Sequence, residues 1–372
     1  MKSQSIYSLL LLCVLTFTRF LTITAKSCVD FPNPLNPSEK VIVECPPTAN
    51  TYANVKRETT NFFQVNHTCY STTAMCDKIK EAYNDAGKEI SKTLKLKQII
   101  YVNSTFIDFL DITLLGATSV ARTIKLISDD KITRYYPQAL VKQFSFDPHP
   151  EYSDFDIISS FNAGQEWWFR TDNETIKSNQ YDFYAVLLHE LMHGLGFVPG
   201  WGNALETSDN QNTTGLTPNL DFTGGSEIEF AGFTENIFDK FVKTIINNTV
   251  NTLTYYTYQL NEAIPIGTPF NNYSEFVTKM KSSPQWKYAE FALISATTND
   301  SSSINHVSDE KYEPTEDFLM TWSFNPGETL EYLIQKGGNY KSPIGPRLLS
   351  ILESMGYETE AYPNSIKPTY EY

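Results

Sequence analysis

Nine residues at positions 189–197, reading HELMHGLGF, constrain this chain more than any other stretch. His189 and His193 are four apart, so a helix stacks them one turn above each other, about 6 Å along its axis, where two imidazoles can share a metal ion. Glu190 falls on the adjacent face of the same turn. From there a carboxylate reaches a water on the metal without being a ligand, the placement that metal-assisted hydrolysis needs. Tyr184, Ala185, Val186, Leu187, Leu188 and Leu191 give the other faces an apolar character and Asp182 precedes them as an N-cap, so a buried helix is expected. Gly196 is placed to end that helix in a left-handed conformation and turn the chain beneath the metal. The plainer alternative is a core helix with two satisfied histidines; the apolar lead-in and the GxGF exit weigh against it.

The motif resembles the active-site helix of the metzincin clan of zinc metalloendopeptidases, HExxHxxGxxH. The third histidine of that signature would fall at position 199, where this chain has Pro199. In this respect it more closely resembles the leishmanolysin-like proteases, which read HExxHxxGF and delay the third histidine by a long insertion. His306, followed fourteen residues later by Met320 in the run Asp317, Phe318, Leu319, Met320, Thr321, resembles the third zinc ligand and the Met-turn of such proteases. The resemblance covers about 73–197 and 304–357. It implies an α+β zincin fold: a twisted mixed sheet and the active-site helix in an upper lobe, a mostly helical or irregular lower lobe, and a large insertion. It also implies one catalytic Zn²⁺ held by His189, His193 and His306, Glu190 as the base, and hydrolysis of internal bonds in protein or peptide substrates.

The third ligand is the most open of these assignments. A catalytic zinc commonly takes three protein ligands, and the chain has two further histidines. His67 lies beside Cys69, and His149 sits in an Asp-Pro-His-Pro run that reads as a rigid surface turn. Glu206, Glu227 or Glu229 would serve instead in a Glu-ligated zincin or an aminopeptidase-like hydrolase. A non-catalytic adhesion glycoprotein on the same fold is the remaining alternative, and it would have no need of Glu190.

Residues 1–27 read as a secretory signal, with Lys2, an apolar run from Ile6 to Leu15, and small residues around Ala25 and Ser27. A secreted, extracellular chain is therefore expected. No later run is long and apolar enough to span a bilayer, so no stable membrane insertion is expected. Hydrophobic residues at 41% and aromatics at 14% suffice for a sizeable core. The net charge of −14, or −17 without the three cations of the signal, makes nucleic acid and anionic membrane surfaces poor partners. The oligomeric state is not legible. Seven sequons, at Asn66, Asn103, Asn173, Asn212, Asn247, Asn272 and Asn299, are candidate glycan acceptors in an exported protein.

Without Cys13 of the signal, Cys28, Cys45, Cys69 and Cys76 remain, an even number for an oxidising compartment. Of three pairings, the most local joins Cys28 to Cys45 and Cys69 to Cys76. With all four paired, no thiolate is left to block a zinc. Metal binding by these cysteines would lack paired CxxC spacing.

Three regions are expected: the signal 1–27, a disulfide-tied N-terminal segment 28–70, and a metallopeptidase domain 71–372 with an insertion at about 199–305. Apolar residues at helical spacing predict an amphipathic helix over 73–94. Strands are predicted over 98–106, 124–128 and 138–144. The metzincin resemblance makes 154–162 the strand at the cleft edge. Trp167 and Trp168 are either cleft walls or core. Within the insertion, 236–246 and 273–280 read as short helices or strands. A final helix is predicted over 344–357, with Pro346 near its start and Gly356 at its end.

Overall fold

The computed structural model describes residues 27–36, 39–49, 60–203, 214–216, 218–224, 227–289 and 304–371. The expected signal lies outside them except for Ser27, as do Asn212, Asn299 and Glu206. The architecture is α+β. A four-stranded sheet in the order β4-β5-β10-β6 is built from β4 (Phe63–Cys69), β5 (Ile100–Ile107), β10 (Ile157–Asn162) and β6 (Gly116–Val120). The first three run parallel and β6 is antiparallel at the edge. Along β5 the buried residues Ile100, Val102, Ser104 and Phe106 alternate with more exposed ones, the period-two pattern of a strand with one face on a core.

Two helices cover that face. The expected helix at 73–94 is α1 (Thr73–Thr93), capped by the Thr72 hydroxyl, which accepts from the Met75 N–H at 3.2 Å. It buries Ile79, Tyr83, Ala86, Gly87 and Ile90, positions three or four apart that form one stripe. The motif helix, α3 (Phe183–Gly194), is buried along its whole length. Close approach to the sheet depends on Gly194, where a Cβ would stand 2.5 Å from Ile157 Cγ2.

A second sheet, β2-β1-β7-β8, comprises β2 (Val41–Glu44), β1 (Ser27–Asp30), β7 (Arg122–Ile127) and β8 (Thr133–Pro137). The described residues of the segment 28–70 thus contribute to both sheets, β1 pairing with β7 and β4 with β5. Both disulfides form with the local pairing, Cys28–Cys45 and Cys69–Cys76. Among the described residues no helix is long and apolar enough to cross a membrane.

Three expectations are corrected. Residues 138–144 are a helix, α2 (Gln138–Phe144), not a strand. Every residue in it is buried, so hydrophobic periodicity carries no signal; what marks it as helical is that Gln138 and Lys142, four apart, both reach the Asp156 carboxylate. The strand expected at the cleft edge, β10, is interior, flanked by β5 and β6 with Phe161 fully buried. Of the two readings of Trp167, core is the one found: it is 5% exposed and set edge-on against Phe183, with its indole N–H donating to Asn162 O at 2.7 Å. His149 is buried, not at the surface: β9 (His149–Pro150) pairs with β3 (Pro47–Thr48), and the imidazole stacks on Tyr152 at 4.6 Å.

The described part of the insertion has its own apolar core around Trp201, Phe230, Tyr256, Phe276 and Trp286. This core lies between a three-stranded antiparallel sheet and the helices α4 (Leu253–Ala263) and α5 (Tyr273–Ser282). The insertion docks on β8 through buried charge. Arg134, fully buried, donates to Glu235 at 2.6 Å, and the hydroxyls of Thr254 and Thr257 donate to the same carboxylate at 2.7 and 2.8 Å. Asp239, equally buried, accepts from the N–H groups of Gly200 at 2.8 Å and Asn236 at 2.7 Å, which pins the chain leaving α3 to the insertion.

Burial, and then the Glu235 carboxylate, push the Asp239 carboxyl up to about 8. A folded value above the ordinary 3.8 means that the contribution of the proton to stability is complete below the ordinary aspartate range and is lost as pH rises through about 8. Tm is therefore expected to fall from about pH 5 to about pH 8. Asp239→Asn, which keeps an acceptor and carries no charge, should flatten that fall. A variant profile parallel to that of the parent would remove Asp239 as the cause.

Candidate metal centre

The centre begins with the cap of α3. Asp182 accepts from the N–H of Tyr184 at 2.9 Å and of Ala185 at 3.3 Å, and its second oxygen accepts from Leu330 N–H at 2.8 Å. One carboxylate thus starts the motif helix and ties it to the C-terminal part of the chain. At the other end Gly196, at φ +113°, lets Phe197 N–H return to Met192 O at 3.1 Å. The same turn brings Phe197 O to His193 Nδ1 at 2.8 Å.

A carbonyl oxygen can only accept, so His193 carries its proton on Nδ1 and presents a lone pair on Nε2. His189 is set in the same way, its Nδ1 donating to Leu319 O at 2.7 Å. That carbonyl belongs to the buried 3₁₀ turn Phe318–Met320. The next residue of the turn holds the third histidine in place: Val307 N–H donates to Met320 O at 2.8 Å, fixing the chain beside His306.

The three Nε2 atoms converge. His193 Nε2 lies 3.1 Å from His189 Nε2 and 3.3 Å from His306 Nε2. Three nitrogens held at about 2.05 Å from one ion with tetrahedral angles stand about 3.3 Å apart; the two separations from His193 are close to that, and all three ligand atoms lie within 4.8 Å of one another. The cluster could therefore hold a metal. Among the described residues it is the one group of three or more His, Cys, Asp or Glu side chains close enough to share an ion. Burial lowers the pKa of His193 to about 3, with His306 adding to the effect, and lowers that of His189 well below its ordinary value. Neutral imidazoles, the form that binds metals, are thereby favoured.

Glu190 sits beside the cluster at 7% exposure, under the first residues of β6. A Cβ on Gly116 would stand 3.3 Å from Glu190 Cγ. Burial raises the Glu190 carboxyl to about 7, and the neighbouring Thr118 side chain opposes the rise. Such a carboxyl can take and return a proton near neutral pH.

Of the other candidates, Glu227 and Glu229 lie on the strand Glu227–Phe233 of the insertion sheet and do not join the cluster. His67, on β4, shares a 3.0 Å hydrogen bond with Ser104 Oγ, and burial, with Lys80 adding, lowers it to about 4. The carbonyls of Phe197 and Leu319 escape any reading of side chains. Thr118 and Phe324, whose ring meets His189 edge-on at 5.5 Å, are also unmarked in the sequence.

Loss of one imidazole should release the metal. If the cluster takes up a metal ion, His306→Ala is expected to lower the bound metal to a small fraction of that in the parent, whereas His149→Ala should leave it unchanged. Metal content by elemental mass spectrometry after gel filtration checks both. Full occupancy in His306→Ala would remove His306 from the ligand set.

A family model described as SPBPB7E8-like matches residues 28–301 and 294–372. An uncharacterized protein of Schizosaccharomyces pombe, PB7E8.01, is 25% identical over 401 residues, covering 88% of this chain and 69% of the relative. No solved structure matches. With the family match running across both sheets, the insertion and the three histidines, the chain belongs to the SPBPB7E8-like family.

Proposed function

We propose that the chain is a secreted, zinc-dependent endopeptidase of metzincin type that hydrolyses internal peptide bonds. The observation that carries this reading is the convergence of His189, His193 and His306 through Nε2 atoms 3.1 and 3.3 Å apart, with Glu190 buried at the next helical position. When bound, zinc supplies Lewis acidity, which acidifies water and polarises a carbonyl. Glu190 takes the proton of the attacking water and returns it to the leaving amine, a role that suits a carboxyl raised to about 7. His189 and His193, held by the carbonyls of Leu319 and Phe197, stay in the tautomer that binds metal.

A place for substrate follows from the sheet. β6 is an edge strand, and Gly116 and Thr118 border Glu190. An extended peptide can add to the free side of such a strand through main-chain hydrogen bonds, with little demand on sequence. Two disulfides suit an oxidising, extracellular setting.

Cleavage of casein, abolished by a chelator and restored by zinc, is the direct test. Glu190→Ala should keep about one zinc per chain while kcat falls about 10²- to 10⁴-fold or more. A variant that loses zinc together with activity, or that keeps its activity, would overturn the role of the base.

A further inference from the structure

The loop at 108–115, between β5 and β6, carries an exposed apolar tip on a rigid mount. Leu110 is 90% exposed and Ile112 is 83% exposed. The mount is Asn162, 1% exposed at the end of β10, whose amide donates to Asp111 O at 2.7 Å and Leu114 O at 2.8 Å while its oxygen accepts from Phe109 N–H at 3.2 Å. Gln165 donates to Ile112 O at 2.7 Å, and Asp108 accepts from Leu110 N–H at 2.8 Å. Leu110 itself stands at φ +59°, in the left-handed region, where asparagine or glycine fits with less strain. A leucine here carries two costs, exposure and backbone strain, and an asparagine would carry neither.

The loop runs straight into β6. Leu115 packs on the main core, and Gly116 begins β6 against Glu190. Ile112 is four positions before Gly116 and Leu110 six, so the tip lies within about 14 to 22 Å of Gly116, which borders the base. A strand rises about 3.3 Å per residue; a peptide extended along β6 therefore reaches the tip some four to six residues from the scissile bond. Asp108, Asp111 and the net charge of −14 disfavour an anionic lipid surface at this site.

We propose that Leu110 and Ile112 form a substrate-docking prong that takes apolar side chains of an extended protein substrate several residues away from the cleaved bond. This rests on the endopeptidase reading above. It makes long, unfolded polypeptides with apolar segments better substrates than short peptides, through KM more than kcat.

The test compares the parent with Leu110→Asn/Ile112→Ser on casein and on a hexapeptide spanning the bond most readily cut in casein. The variant should keep or raise Tm, turn over the hexapeptide as the parent does, and lose about 10- to 100-fold in kcat/KM on casein, the range for one or two buried aliphatic side chains. In a Glu190→Ala background, casein binding followed by fluorescence anisotropy should weaken by a similar factor. That arm reads the prong without turnover: a parent that cleaves nothing would sink the endopeptidase reading, while the binding comparison would still decide this one. Casein binding within twofold of the parent, an equal loss on the hexapeptide, or loss of binding to phosphatidylcholine and phosphatidylserine vesicles in place of casein would each overturn the prong.

Discussion

Three imidazole lone pairs aimed at one point repel each other, and the architecture around the centre can be understood as the means of keeping them there. Two backbone carbonyls do most of this. Phe197 O and Leu319 O take the Nδ1 protons of His193 and His189, which leaves Nε2 as the free acceptor on each ring. Neither carbonyl could arrive without a tight turn, one made by Gly196 at φ +113° and the other by the 3₁₀ turn Phe318–Met320. The second turn serves twice, since Met320 O also holds Val307 N–H beside His306. The alignment of the three donors thus depends on where the chain reverses direction as much as on the histidines.

The same dependence explains how a long insertion is tolerated between the second histidine and His306. The described part has a core of its own, and only Ile237 and Phe238 of its buried apolar residues join the main core, where the Phe238 ring meets Phe197 at 4.7 Å. What it must do is leave and return at fixed points. Its departure is fixed by Asp239 on the N–H of Gly200 and by Asn236 on Val198 O at 3.1 Å, and the body of the insertion by Glu235 on Arg134. Buried charge is a costly fastener, because removal of one partner leaves the other uncompensated at about 3–5 kcal/mol. It is also a selective one, since a shifted insertion could not satisfy Arg134.

Much of the centre was legible because its chemistry demands particular side chains at helical spacing. His189, Glu190 and His193 had to share a helix, Asp182 had to cap it, and Gly196 had to end it, and these residues are so placed. His306 could be reached through resemblance and the shortage of histidines, and it does meet the other two. Where the reading failed, local pattern was silent. Buried on every face, 138–144 has no period to read, and its helix is chosen by Asp156, a partner distant in sequence. His149 looked superficial because proline flanks it on both sides, yet the β3 strand covers it. The edge strand was misplaced for a related reason: β6, with Gly116, Ala117, Thr118 and Ser119, lacks the β-branched apolar run that advertises a strand.

Those small residues follow from the position of β6. A Cβ at 116 would meet the Phe161 ring at 3.1 Å and Glu190 Cγ at 3.3 Å, so any residue but glycine would push the ring or the carboxylate side chain aside for the strand to close as it does. Closing over it is what buries Glu190, and burial is the first cause of its rise to about 7. The element that leaves one edge free for a peptide is therefore also the element that sets the carboxylate beside it. Under the endopeptidase reading this couples two requirements usually met separately. A strand moved outward to admit bulkier residues would expose Glu190 to water and return it toward an ordinary carboxylate, while a strand moved inward would lose its register with β10, where Phe161 pairs with Gly116. The chemistry of the base and the geometry of the edge then have a single tolerance, set by the absence of one Cβ.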